Sequence, residues 1–167
     1  KDFSDGLAFV ELDERSNLWG CIDTEGILRF TLNAKFLWEY SEGFAAIEVE
    51  WDSVIYVDRN GENIFQRSFV EGNEFKNGFA EVKLNRNGNY VLINKRGEVA
   101  FDTTLDFYTG FSEGYALVEH KNTPAIIDTN GIITYIDTSF HGFGGEYRYS
   151  FFSIGLMPVK IKNKFGF

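Results

Sequence analysis

Apolar and polar residues alternate along this chain in short bursts, each closed by glycine, asparagine or aspartate. Alternation with a period of two marks a strand that turns one face inwards. The bursts themselves recur. Ala8 and Val10 share a face in the first, and the position two after the alanine site reads Val10, Ile47, Val82, Val118 and Val159 in successive bursts. A β-branched residue at every copy suits a buried strand position. A second burst ends on Ile22, Val57, Ile93 or Ile127, each directly before Asp or Asn and each expected to be buried. Third strands are predicted over 27–31, 63–67, 98–102 and 132–136. Connectors follow at 33–40, 68–74 and 103–110, with room for a single helical turn at most. The connector at 137–151 is the longest.

Two signatures phase these bursts. The first is aromatic, two small or polar residues, Gly, large apolar, Ala, centred on Gly6, Gly43, Gly78 and Gly114, with a weaker copy at Gly155; the glycines are 37, 35, 36 and 41 residues apart. The second is a four-residue turn that ends on Gly26, Gly61, Gly97 or Gly131 and begins on Asp23, Asp58, Asn94 or Asp128. The mechanism is local. The first side chain accepts a hydrogen bond from a turn amide, and the glycine supplies the positive φ. Asp23, Asp58 and Asp128 are therefore explained as turn residues without any catalytic role.

The pattern aromatic-Ser-Glu-Gly-aromatic-Ala, as in Tyr40 to Ala45, then Trp-Gly-x-Ile-Asp-x-x-Gly, matched most closely by Trp19-Gly20-Cys21-Ile22-Asp23-Thr24-Glu25-Gly26, resembles the bacterial WG (KWG) β-repeat family. Val54-Ile55, Tyr90-Val91, Pro124-Ala125 and Phe165-Gly166 stand at the Trp-Gly site in the other copies. The resemblance implies a repeat scaffold that serves as an interaction module in bacterial proteins, with no general activity attached to it.

The expected fold is all-β, with tandem three-stranded β-meander repeats in an open twisted array; a β-propeller-like ring or partial ring is the alternative. Repeats fall at about 3–39, 40–74, 75–110, 111–151 and 152–167, forming one repeat domain over 1–167. Residues 162–167 align with the run into Trp19, so the last repeat is cut short and the chain reads as a piece of a longer array.

Composition narrows the function classes. Sixteen Lys and Arg against 25 Asp and Glu give a net charge of −9, which repels phosphate backbones, so no nucleic-acid partner is expected. No apolar run approaches the ~20 residues of a membrane helix. One Cys and two His are too few for a structural zinc site, and no cofactor or metal is expected. A lone Cys fits a reducing compartment; a cytoplasmic setting is marginally favoured over export.

No nucleophile, base and orienter assemble in the sequence, so the expected protein is not an enzyme. His120 reads as a solvated edge residue, and Cys21 as a small packing residue. Trp38 is expected to pack within its connector. Four residues escape the repeat rule: Trp51 between two strands, and Tyr147, Arg148 and Tyr149 in the long connector. Tyr, Trp and Arg are the types enriched at interface hot spots, so these four are the candidate partner-binding residues and a protein or peptide is the expected partner. Glycan or cell-wall binding through exposed aromatics is the alternative. A site built on His141 and Glu146 in 137–151 is the minor, enzymatic one.

Overall fold

The computed structural model describes residues 2–101, 105–107, 111–136, 159–161 and 164–166. Tyr147, Arg148, Tyr149 and Gly155, with the whole 137–151 connector, lie outside the described residues. The chain forms two compact units, 1–100 and 101–167.

The first unit holds three antiparallel sheets. Strands β1 (Leu7–Asp13), β2 (Leu18–Asp23) and β3 (Leu28–Asn33) form the first in that order. The second contains β4 (Phe36–Leu37), β5 (Ala45–Glu50) and β6 (Ser53–Val57), and the third β7 (Glu71–Gly72), β8 (Phe79–Lys83) and β9 (Tyr90–Asn94). The second unit carries a four-stranded sheet of β10 (Leu105–Phe107), β11 (Tyr115–His120), β12 (Thr123–Asp128) and β13 (Ile133–Tyr135), and a hairpin of β14 (Val159–Ile161) and β15 (Lys164–Gly166). Tandem all-β repeats are thus the architecture. Among the described residues the only helical piece is the 3-10 turn Glu14–Ser16.

The turns follow from their sequence. The Asp23 carboxylate accepts the N–H of Glu25 at 3.0 Å and of Ile27 at 2.9 Å. Asp58 does the same for Asn60 and Glu62, and Asp128 for Asn130 and Ile132. Asn94 takes the N–H groups of Arg96 and Glu98 through its neutral amide oxygen. Gly26, Gly61, Gly97 and Gly131 have φ between +76° and +86°. Gly6, Gly43, Gly78 and Gly114 also have positive φ, each after a residue that itself lies in the left-handed region: Asp5, Glu42, Asn77 or Glu113.

Connectors and third strands differ from expectation. The connectors hold strands, not helical turns: β4, β7 and β10 each form the edge of a sheet by pairing with the next strand in sequence, as in Phe36↔Glu48 and Glu71↔Lys83. The expected third strands at 63–67 and 98–102 reduce to isolated bridges, Val57↔Asn63 and Ile93↔Val99. Burial of an aromatic ring outweighs continuation of the ladder at the first of these. Phe65 turns inwards onto Tyr56, Phe69 and Phe75, and the backbone breaks at Gln66 with φ 51°.

Alternation along the strands gives the middle sheet two buried faces. Ala45, Ile47 and Val57 turn back onto Leu7, Phe9 and Cys21 of the first sheet. Ala46, Val54 and Tyr56 turn forward onto Ala80, Val82 and Ile93 of the third. The position two after the alanine therefore lies on the rear face of the second and third sheets, where Ile47 and Val82 are buried; Val118 is buried as well. Val10 and Ile22 are only half-buried, against expectation, because the other two sheets of the first unit lie on the opposite face.

A ladder of polar contacts joins the sheets of the first unit. Ser4 Oγ donates to the Tyr40 carbonyl at 2.6 Å, and Ser41 Oγ to the Phe75 carbonyl at 2.6 Å. The Gly43 N–H donates to the Asp5 carboxylate at 2.8 Å, and the Gly78 N–H to Glu42 at 2.9 Å. Arg59 caps the Asp5 carbonyl, and Lys95 caps that of Glu42. The same three-part contact appears at both joints, although the partners are more than 30 residues apart.

Candidate functional site

The connector strands bring aromatic side chains to the surface of the first unit. Backbone bonds from Lys35 N–H to Glu48 and from Trp38 N–H to Ala46 clamp this segment to β5. Phe36, across from Glu48, is half exposed and meets Trp38 edge-on, with ring centroids 4.7 Å apart and planes at 74°. Trp38 packs against the second core as expected, yet it also borders two shallow cavities. One, of about 340 Å³, is lined by Phe36, Trp38, Tyr40, Glu74 and Lys76 among others. The second, of about 130 Å³, is lined by Trp38, Glu48, Glu71, Asn73 and Tyr90 among others.

Carboxylates give this surface its charge. The Tyr90 hydroxyl and the Lys83 ammonium hold the Glu71 carboxyl below its ordinary range, and in return Glu71 pushes the Tyr90 hydroxyl up to about 12. Burial works against ionisation of Glu74, but its bond to Lys76 more than compensates, and its carboxyl also stays low. Glu71 and Glu74 are therefore anions at neutral pH. Each already has a cation, Lys83 at 3.2 Å and Lys76 at 2.8 Å. The arrangement sets aromatic side chains beside paired carboxylates on two short connector strands.

Trp51 stands in the turn between β5 and β6, beside Asp52 with φ 58°. Its ring is 77% exposed. The Lys35 ammonium lies 4.8 Å from its centroid and pairs with Glu50 at 2.9 Å. Trp51 therefore presents its ring to solvent. Of the four sequence candidates it is the one among the described residues.

Phe36 and Tyr90 were not legible as surface residues. The available signal was the pair Phe36-x-Trp38, whose alternation would have exposed a strand in the connector.

His120 corrects another expectation. It is buried, and its Nδ1 lies 2.9 Å from the Tyr135 hydroxyl with the two rings stacked at 15°. Pairing Leu105↔His120 and His120↔Thr123 puts it inside a sheet rather than at an edge. Among the described residues, no three His, Cys, Asp or Glu side chains converge as a metal-binding group would. No helix of the described residues is long and apolar enough to cross a membrane.

Two adjacent segments, residues 56–90 and 92–123, match the family model of the WG containing repeat. No curated protein matches the chain. Among solved structures, selenomethionine-substituted virginiamycin B lyase from Staphylococcus aureus is similar with 14% identity and a TM-score of 0.41, over 95% of this chain and 57% of that one. The chain spans a little over half the length of that structure.

Proposed function

We propose that this WG-repeat chain is a non-enzymatic interaction module that binds a protein or peptide partner. One observation carries the reading: Trp38 borders two shallow cavities beside short connector strands, one lined by Phe36 and the other by Tyr90, and the solvent-facing Trp51 stands on the turn between β5 and β6. Rigid aromatic surfaces contribute much contact area at little entropic cost, and they dominate peptide and protein recognition. The polar side chains around them orient a ligand.

The test pans the immobilised chain against a displayed random-peptide library, with Phe36→Ala and Trp51→Ala variants alongside. Enriched peptides that bind the parent and lose at least tenfold in affinity with either variant support the reading. An exposed planar indole such as Trp51 is also what a sugar ring stacks on, so a glycan array is run in parallel. Retention of glycans with no peptide enriched would replace the peptide reading by the glycan one.

A further inference from the structure

The two joints of the first unit are built alike, and the first sheet carries the receiving half of a third. At each joint the aromatic residue four positions after a turn glycine lies on the turn glycine of the next repeat. A β-carbon built on Gly61 would stand 2.7 Å from the Phe30 ring, and one on Gly97 would stand 2.7 Å from Phe65. Around Gly26, nothing lies within 4 Å. The slot filled by Phe30 and Phe65 at the other joints is therefore open at the first.

The rest of the receiving half is present too. Tyr40 and Phe75, whose carbonyls accept from Ser4 and Ser41, are buried. Phe3 holds the same position and is 51% exposed. The N–H groups of Gly43 and Gly78 donate to Asp5 and Glu42, whereas that of Gly6 has no acceptor among the described residues. The rear face around them is apolar: Val10 and Ile22 are half-buried, and Leu28, over Gly20, is 52% exposed. One part of the ladder is missing, since Thr24 stands where Arg59 and Lys95 supply their cations.

We infer that the rear face of the first sheet is a docking surface for the forward face of one further repeat of the same build, joined ahead of Phe3 in the same polypeptide. Continuity with the two existing joints identifies the occupant. It must supply an aromatic ring to Gly26, a hydroxyl to the Phe3 carbonyl, a carboxylate to the Gly6 N–H, and apolar side chains to Val10, Ile22 and Leu28. The forward-facing sets of the first two sheets do not leave those groups over, because each is engaged with the sheet that follows it. This goes beyond the peptide reading and stands independently of it, since the cavities at Trp38 lie on other residues.

The test extends the full chain by one repeat. Residues 40–74 are duplicated directly ahead of Phe3, which then takes the place of Phe75. Hydroxyl-radical footprinting reads side-chain exposure in the parent and the extended chain. The expected result is a several-fold drop in labelling of Phe3 and Leu28, together with labelling of the added Phe65 copy as low as that of the original. Leu28→Lys should leave the parent's melting temperature unchanged and restore Phe3 labelling in the extended chain. Unchanged labelling of Phe3 and Leu28 on extension overturns the inference. So does an equal effect of Leu28→Lys in both chains, and so does protection of Phe3 in the parent that rises with protein concentration, which would make a second copy the occupant.

Discussion

The Phe30 ring lies over Gly61, 35 residues ahead of the turn glycine that Phe30 itself follows by four. Gly61 thus meets two demands at once: a φ of +85° and a surface with no β-carbon. Gly26 has the same conformation, with φ +78°, and meets only the first. Alanine at Gly26 should cost about 1–2 kcal/mol for the left-handed backbone. Alanine at Gly61 should cost about 1–3 kcal/mol more, because the ring must move. Urea melts of the two variants measure the difference, and equal losses would mean that Phe30 shifts freely.

The serine rungs can be tested alone. Ser41→Ala removes the bond to the Phe75 carbonyl and, at a part-buried site, should lower stability by about 0.5–1.5 kcal/mol. Native-state hydrogen exchange should show the loss in both the second and third sheets. A loss confined to the second sheet would mean that the rung does not couple them.

Acid should weaken the turns. Backbone donors hold the carboxyls of Asp23 and Asp128 below their ordinary value, with the Ile27 and Ile132 N–H groups contributing most. At Asp58 burial opposes ionisation but is outweighed by the N–H groups of Glu62 and Asn60. A depressed folded-state pKa contributes stability that is complete above the unfolded value, 3.8 for Asp, and that disappears as pH falls through the lower folded value. Asn94 performs the same task without a charge. The triple variant Asp23→Asn, Asp58→Asn, Asp128→Asn should therefore lose less stability than the parent between pH 5 and about 2. Thermal melts across that range measure the slope, and parallel curves would exclude the turns as its source.

Cys21 is fully buried beneath Phe9 and Tyr40, and burial pushes its thiol up from 9.0. Thiolate is the reactive form, so a thiol-specific disulfide reagent should label Cys21 at the rate of unfolding and immediately in denaturant. Rapid labelling of the native chain would place the sulfur at the surface.

Trp51 should be separable from the fold. The residue is largely exposed, and the Lys35 ammonium lies 4.8 Å from the ring centroid. Trp51→Ala should change stability by no more than about 0.5 kcal/mol, while reducing the affinity of any ligand that uses the turn. A large loss of stability on calorimetry would return Trp51 to a packing role.

Some of this protein was determined by its sequence alone. The period, the Asp-x-x-Gly turns and the paired strands were legible because each depends on residues a few positions apart: a carboxylate and the amides that follow it, or a glycine and its own φ. The β-branched sites at Ile47 and Val57 were legible as buried for the same reason. What the tertiary structure alone decided lies between repeats. The connectors became strands because β5, β8 and β11 offered them unpaired backbone. The third strands at 63–67 and 98–102 shrank to bridges, the first because Phe65 found a core. His120 was drawn inside by pairing on both sides. Val10 and Ile22 carry the same residue types as their buried counterparts, yet burial belongs to a neighbour and not to a residue. A sequence pattern states which face a strand turns inwards; only the stacking of sheets decides whether another face is there to meet it.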